Sequence, residues 1–233
     1  MRPLPAMGLA AATLLAPTPL PAESAMPVVI ELYTSQGCSS CPPADAMLAD
    51  LARMEGVVAL SLHVDYWDYI GWPDSFAQPA FSARQEAYAM AAGERMVYTP
   101  QIVVNGQDRI VGSDPMAVME RLHAYAGATT PVALRVAREG DLLRIEADST
   151  APVPPLTVQL VRYRPAEEVT ITAGENAGLT LTYVNVVTAW EQVGDWDGAA
   201  PLSLAVPAQG PERAVVLLQE QGPGRIRAAA TAE

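Results

Sequence analysis

The chain has 233 residues, of which 50% are hydrophobic, so it is long enough to bury a sizeable core. Its 26 acidic and 14 basic residues give a net charge of −12, which excludes nucleic acid and disfavours an anionic membrane surface as partners. All the basic residues counted there are arginine, and the absence of lysine excludes Schiff-base chemistry and a P-loop lysine.

The first 25 residues have the order of a secretory signal. Arg2 precedes the apolar residues 7–16, small residues follow, and cleavage is predicted after Ala22 or Ala25. The apolar stretch is too short to span a bilayer. We therefore expect a periplasmic or secreted protein with no membrane insertion after signal removal. A disordered leader on a cytosolic protein is the alternative.

Both cysteines lie between an apolar run and a helical pattern. Residues 28–33 are typical of a buried strand of a parallel sheet, and apolar residues then recur at helical spacing from Ala44 to Met54. Cys38 and Cys41 are therefore predicted at a strand-to-helix turn, residues 34–41, which we name the cysteine turn. Free backbone N–H groups and the helix dipole there favour a thiolate. Cys38, the outer cysteine, is the predicted nucleophile in an exposed position.

Residues 57–64 predict a second, parallel strand that ends at the same sheet edge as the cysteine turn. The next segment, residues 65–73, is rich in aromatic residues and includes Trp67 and Trp72. These rings predict either a wall for a peptide or apolar ligand, or a cap on the core. His63 is either a third ligand for a soft metal or a packed, hydrogen-bonded residue.

Residues 79–92 predict a helix, residues 101–111 a β-hairpin, and Asp114 the cap of a further helix. The order is β-α-β, helix, β-β, α. With a C-x-x-C opening the first helix and Thr99-Pro100 before the third strand, this order resembles the thioredoxin fold.

The resemblance implies roles for three residues. Pro100 would be a cis-proline that faces the cysteines, and Thr99 would offer its backbone to a substrate chain. A buried acid on the strand before the cysteines would accept the proton of the inner thiol. Glu31 matches this acid if the turn at residues 34–37 is one residue longer than usual; without that gap Leu32 takes its place.

Four stretches extend the resemblance: ELYTSQGCSSCPPAD, HVDYWDYIGW, YTPQIVVNG and GENAGLTLTYVNVV. Together they resemble a family of exported bacterial thioredoxin-like proteins known only as domain of unknown function 1223 (DUF1223). The resemblance covers nearly all of the mature chain. It implies a fold and an exported location but does not indicate a substrate. It also implies no cofactor other than a redox-active Cys38–Cys41 disulfide.

After residue 131 the pattern changes to short apolar runs separated by turn residues, which is typical of a β-sandwich. The predicted runs include residues 156–163, 168–172 and 179–188. Residues 174–178 between them are either a turn that shapes the sandwich or its contact with the first domain, or a ligand loop. This half contains neither cysteine nor histidine.

We therefore predict an α/β thioredoxin-like domain followed by an all-β sandwich-like domain. The predicted boundaries are a signal peptide at residues 1–25, the thioredoxin-like domain at 26–128 and the β-sandwich-like domain at 129–233.

Three functions stay open. The first is a thiol–disulfide oxidoreductase acting on protein thiols or disulfides in the periplasm, in which Cys38 forms a mixed disulfide and Cys41 resolves it. The second is a soft-metal (copper) binding or delivery protein that uses Cys38, Cys41 and His63. The third is a non-catalytic binding module with a structural disulfide, although closing so small a ring stabilises a chain by only about 2 kcal/mol.

Overall fold

The computed structural model describes residues 24–232, which form thirteen strands, three α-helices and a short 3-10 helix. The predicted signal segment therefore lies outside the described residues except for its last two, which form β1. In chain order the elements are β1 Ser24–Ala25, β2 Val28–Thr34, α1 Pro42–Leu51, β3 Val57–His63, a 3-10 helix Asp68–Ile70, α2 Pro79–Ala91, β4 Gln101–Val104, β5 Asp108–Val111, α3 Pro115–Tyr125, β6 Thr129–Thr130, β7 Val132–Glu139, β8 Leu142–Ser149, β9 Leu156–Thr170, β10 Thr180–Trp196, β11 Leu202–Pro207, β12 Arg213–Glu220 and β13 Ile226–Thr231.

The fold is a mixed α/β arrangement dominated by an eight-stranded sheet. Its strand order is β13-β12-β9-β10-β3-β2-β4-β5. β2 and β3 are parallel, with Thr34 opposite His63 at their carboxyl ends, and β4 and β5 follow as an antiparallel hairpin. The β-α-β unit and the hairpin predicted from local pattern are therefore confirmed.

The helices cover both faces of this sheet. Along β2, Ile30 and Leu32 join the cluster that contains the inner residues of α1 and α3. Val29 and Tyr33 join the cluster that contains Phe81 and Tyr88 of α2, because successive side chains of a strand point to opposite faces. No helix within residues 24–232 combines the length and the apolar character needed to cross a membrane.

The two halves of the chain share the eight-stranded sheet. β10 pairs in parallel with β3, where Val186 lies opposite Ser61. The side-chain amide of Asn185, a residue with a φ of 47°, donates a hydrogen bond of 2.9 Å to the carbonyl of Ala59 on β3. Strand pairing thus crosses the boundary that the sequence predicts near residue 128.

The second half adds a three-stranded sheet, β11-β8-β7, that encloses an apolar core with β9, β10, β12 and β13. β9 and β10 form a hairpin of 15 and 17 residues. The prediction of separate strands at 156–163 and 168–172 was wrong, because pairing with β10 continues through residues 164–167, which are exposed except for the half-buried Glu167 and do not alternate between apolar and polar.

Candidate functional site

The two cysteines form a disulfide in the turn that leads into α1. Their Cα atoms are 5.4 Å apart, and the Cys41 N–H donates to the Cys38 carbonyl at 3.2 Å. Cys41 is the N-cap residue of α1, which starts at Pro42, where the missing N–H of proline has no intrahelical use. The predicted strand-to-helix placement is therefore confirmed.

The disulfide is buried, contrary to the prediction of an exposed Cys38. Cys38 is 3% exposed and Cys41 is fully buried, whereas Ser39 and Ser40 between them are exposed. The Cys38 sulfur lies 3.4 Å from the Ser40 hydroxyl. Two segments distant in the sequence pack against the turn.

The first covering segment is the β9–β10 turn, residues 174–178, which we name the cover loop. The buried side-chain amide of Asn176 donates to the carbonyls of Gln36 and Cys38, at 2.9 and 3.0 Å. Gly174 has a φ of 75°, and a Cβ there would lie 3.1 Å from the Cβ of Trp72. The interpretation of these residues as a turn that contacts the first half is confirmed.

The second covering segment is residues 66–72, which bring both predicted tryptophans to the cysteine turn. The indole of Trp72 donates to the Gln36 side chain at 2.8 Å. The indole of Trp67 donates to the Thr99 hydroxyl at 2.7 Å, and a Cβ on Gly37 would lie 3.4 Å from the Trp67 Cβ. Trp72 therefore contacts the cysteine turn through its ring, and Trp67 contacts it through its Cβ.

Thr99 and Pro100 lie at the same sheet edge. The peptide bond between them is cis, as predicted. Pro100 directly precedes β4, whose first residue, Gln101, lies opposite Tyr33 on β2. Since the cysteine turn starts where β2 ends, the proline and the disulfide share one end of neighbouring strands.

Glu31 is not brought to the cysteines. It is fully buried on the α2 face of the sheet, opposite α1. Arg84 donates to both carboxylate oxygens, at 2.8 and 3.0 Å, and the hydroxyls of Tyr33 and Tyr88 donate at 2.9 and 2.8 Å. The Arg84 guanidinium also lies 3.7 Å from the ring centroid of Trp190. This arrangement supports a structural ion pair rather than a proton acceptor for Cys41.

A different buried acid, Asp45, lies one helical turn after Cys41. Its backbone N–H donates to the Cys41 carbonyl at 3.1 Å. Neither carboxyl oxygen has a hydrogen-bond partner among residues 24–232. Burial raises the pKa of Asp45 to about 7, Asp74 adds to the rise, and His63 and the Thr34 hydroxyl oppose it.

His63 is fully buried, shares the α1 face of β3 with Ala59, and is close enough to Asp45 to oppose the rise of its pKa. Its Nδ1 is 2.7 Å from the Asp74 carboxylate, which also accepts the backbone N–H of Gln36 at 2.7 Å. Its Nε2 has no partner among residues 24–232, and its ring packs edge-on against Tyr183 at 4.8 Å. The prediction of a packed, hydrogen-bonded histidine is therefore confirmed.

The alternative metal site, Cys38 with Cys41 and His63, is not assembled. Within residues 24–232 no group of three or more cysteine, histidine or acidic side chains is arranged to hold a metal ion.

Sequence reasoning missed Asp45, although the sequence contained a signal. Cys41, Ala44, Asp45 and Leu48 have the i, i+3, i+4, i+7 spacing of one helix face, and all four are buried. An acid inside an apolar stripe marks a group whose charge burial penalises. Asp74 has no such signal, because its loop position gives no periodicity.

Comparison with known proteins places the chain in a family. The family model described as a protein of unknown function (DUF1223) matches residues 29–219. An X-ray crystal structure of a protein from Agrobacterium tumefaciens is 33% identical, with a TM-score of 0.76 over 89% of this chain and 94% of that chain.

HBP35 of Porphyromonas gingivalis is 14% identical, with a TM-score of 0.65 over 89% of this chain and 74% of its own, and is therefore a likeness of fold alone. No curated protein matches the chain. Because the family model covers more than half of its residues, the chain belongs to the DUF1223 family of proteins of unknown function.

Proposed function

We propose that the protein is a thiol–disulfide oxidoreductase. The observation that carries the proposal is the Cys38–Cys41 disulfide in the turn that leads into α1. In the reduced protein, a Cys38 thiolate attacks a partner disulfide and displaces one partner thiolate. Cys41 then attacks the Cys38 sulfur, releases the second partner thiolate and re-forms the protein disulfide, so that two electrons pass to the partner.

We propose that residues 26–128 form a thioredoxin-like domain and residues 129–233 a sandwich-like one. The order β2-α1-β3-α2-β4-β5-α3, the cysteines at the start of α1 and the cis Thr99–Pro100 bond support the first. The apolar core between the three-stranded sheet and β9, β12 and β13 supports the second. On this proposal the domains share one sheet rather than fold apart.

The site requires an opening step before a partner can reach it. A sulfur of a folded partner has little access to Cys38 while the residue is 3% exposed. We propose that the cover loop moves first, because the side-chain amide of Asn176 ties its tip to the cysteine turn through two hydrogen bonds that a small movement would break. The exposed Ser39 and Ser40 mark the side from which a partner would enter.

The partners proposed are protein thiols or disulfides in the periplasm. The secretory character of residues 1–25 and a disulfide that needs an oxidising compartment support this location. Trp67 holds the side chain of Thr99, which leaves the backbone of Thr99 beside Pro100 as the group to pair with a partner chain. Trp72 would supply apolar contact at the same edge.

The test is insulin disulfide reduction with dithiothreitol as the electron donor. Wild-type protein should accelerate reduction, and Cys38→Ser should abolish the acceleration because it removes the nucleophile. Cys41→Ser should instead accumulate a mixed disulfide visible by mass spectrometry. Ser39→Ala is the matched control in the same turn and should retain activity. Activity that survives Cys38→Ser would eliminate this mechanism.

A structural disulfide is the second candidate, and the burial of both sulfurs favours it. Equilibration with glutathione separates the two functions. A reduction potential above about −270 mV is in the range of exchange catalysts, whereas one below about −300 mV is typical of structural disulfides. A low potential together with an inactive wild-type protein would support the structural function.

A further inference from the structure

We propose that Asp45, positioned beside the His63–Asp74 pair, accepts the proton of the Cys41 thiol when Cys41 resolves the mixed disulfide. The inference rests on the proposed function, and it moves to Asp45 a role that the thioredoxin resemblance implies for Glu31. It draws on the placement of Asp45, on its lack of partners and on the groups that surround it.

The placement puts Asp45 and Cys41 on one face of α1. Residues four apart on a helix are neighbours, and here the backbone hydrogen bond between the two positions is formed. Both side chains are buried, Cys41 completely and Asp45 almost so. A proton leaving the Cys41 sulfur therefore has an acid of the protein beside it and little direct access to solvent.

The Asp45 carboxyl is free to take that proton. Within residues 24–232 neither of its oxygens has a partner of good hydrogen-bond geometry, the nearby Thr34 hydroxyl included, and its charged form is penalised by burial. A carboxyl of this kind holds a proton far more readily than an exposed one. Its pKa of about 7 suits a group that must give and take a proton near neutral pH.

The groups that act on Asp45 or are acted on by it lie on β2, β3, β10 and the loop after the 3-10 helix. His63 on β3 and Thr34 on β2 favour the charged carboxylate, and Asp74 in the loop after the 3-10 helix disfavours it. Tyr183 on β10 packs against the His63 ring, and Asp45 and Asp74 add to the burial that raises its pKa. The cluster thus balances two acids around one histidine, with Asp74 orienting His63.

The resolving step transfers one proton and exchanges one disulfide bond for another. The Cys41 S–H bond breaks, and the proton forms an O–H bond on the Asp45 carboxylate. The Cys41 thiolate attacks the Cys38 sulfur, and the electron pair of the broken Cys38–partner bond leaves with the partner thiolate. His63 is a positioning residue, since it acts on Asp45 and not on the sulfurs.

The experiment mixes reduced protein rapidly with dithiobis-nitrobenzoate, which releases one coloured thiolate in each of two phases. The first phase is attack by Cys38 and the second is resolution by Cys41, as Cys41→Ser should show by losing only the second. Asp45→Asn should slow the second phase by about 100-fold below neutral pH and leave the first unchanged. Asp50→Asn, on the exposed side of α1, is the matched control and should leave both phases unchanged.

The pH profile adds a measurement that a purely structural role would not move. In the wild type, the second-phase rate should rise with pH around a midpoint near 7, where Asp45 becomes a carboxylate. His63→Gln removes a group that favours the charged form and should move the midpoint to higher pH. Near-ultraviolet circular dichroism checks that each variant is folded.

The outcomes separate the two proposals. A native protein with no first phase would contradict the proposed oxidoreductase function itself. A normal first phase with an unchanged second phase in folded Asp45→Asn, or an unchanged midpoint in His63→Gln, would overturn the role of Asp45 alone.

Discussion

Glu31 and Asp45 are both buried acids, yet they lie on opposite faces of the sheet in opposite surroundings. Glu31 accepts hydrogen bonds from Arg84, Tyr33 and Tyr88 and has an ion-pair partner. Asp45 has neither among residues 24–232. A buried carboxylate that is fully bonded holds structure in place, whereas one without partners keeps the ability to exchange a proton.

Removing the ion-pair partner of Glu31 should have the largest effect on stability. Arg84→Met leaves a fully buried carboxylate facing only two tyrosine hydroxyls, and we expect a loss of about 3 to 5 kcal/mol. Urea unfolding at pH 7 measures it. Arg53→Met, which breaks an ion pair with Asp50 at the surface, should cause no measurable change. Equal losses in the two variants would show that the Glu31 pair is not a special feature of the core.

Removing the Asp45 charge should change how stability depends on pH. Its pKa rises from 3.8 to about 7 on folding, so the folded state binds the proton more tightly. The free energy of unfolding should therefore fall by up to about 4 kcal/mol as the pH rises from about 4 to about 7, and it should then level off. Asp45→Asn should abolish this slope in urea unfolding of the oxidised protein.

Asp50→Asn is the matched control for that measurement, since Asp50 lies on the same helix but is exposed. It should retain the wild-type slope. A slope that persists in Asp45→Asn would mean that another group, and not Asp45, takes up the proton on folding.

Releasing the cover loop should have a smaller effect on stability and a visible effect on the disulfide. Asn176→Ala deletes both hydrogen bonds to the cysteine turn, although the Cys38 carbonyl keeps the N–H of Cys41 as a donor. We expect a loss of about 1 to 3 kcal/mol in the free energy of unfolding. Reduction of the disulfide by dithiothreitol should become faster, as followed by thiol alkylation. Glu175→Ala, an exposed neighbour in the same loop, should reduce at the wild-type rate.

Removing the hydrogen bond between Trp67 and Thr99 should have the smallest effect on stability. Trp67→Phe keeps an aromatic ring but removes the hydrogen bond to Thr99, for which we expect about 1 kcal/mol. Thr99→Val removes the other partner, and the double variant should lose less than the sum of the two single losses. Additive losses in urea unfolding would show that the two side chains act independently.

Sequence patterns were sufficient to predict the structure of a segment where the signal lies within that segment. The prolines after Cys41, the apolar runs of β2 and β3 and the Asp114 cap, whose carboxylate accepts the Ala117 N–H at 3.0 Å, each specify their own segment. The cis bond before Pro100 followed from a fold resemblance carried by two motifs. These features define the edge on which the site lies.

Contacts between distant segments could not be predicted from local sequence patterns. Sequence alone matched Glu31 to the proton acceptor of the inner thiol, because its partners Arg84 and Tyr88 follow 53 and 57 residues later, on another element. The cover loop lies 138 residues from the cysteine whose carbonyl it binds. The hydrophobic pattern of a strand does not indicate which other strand pairs with it. For this reason the sequence could not predict that the two halves of the chain share one sheet through β3.

The pairing of β10 with β3 also limits how the chain can be divided. A fragment ending at residue 128 would lack β10 and leave the edge of β3, residues 57–63, without its neighbour. That edge is rich in valine and leucine, and open apolar strand edges recruit strands of other molecules. Such a fragment would be prone to aggregate, and in the whole chain β10 shields this edge from neighbouring molecules.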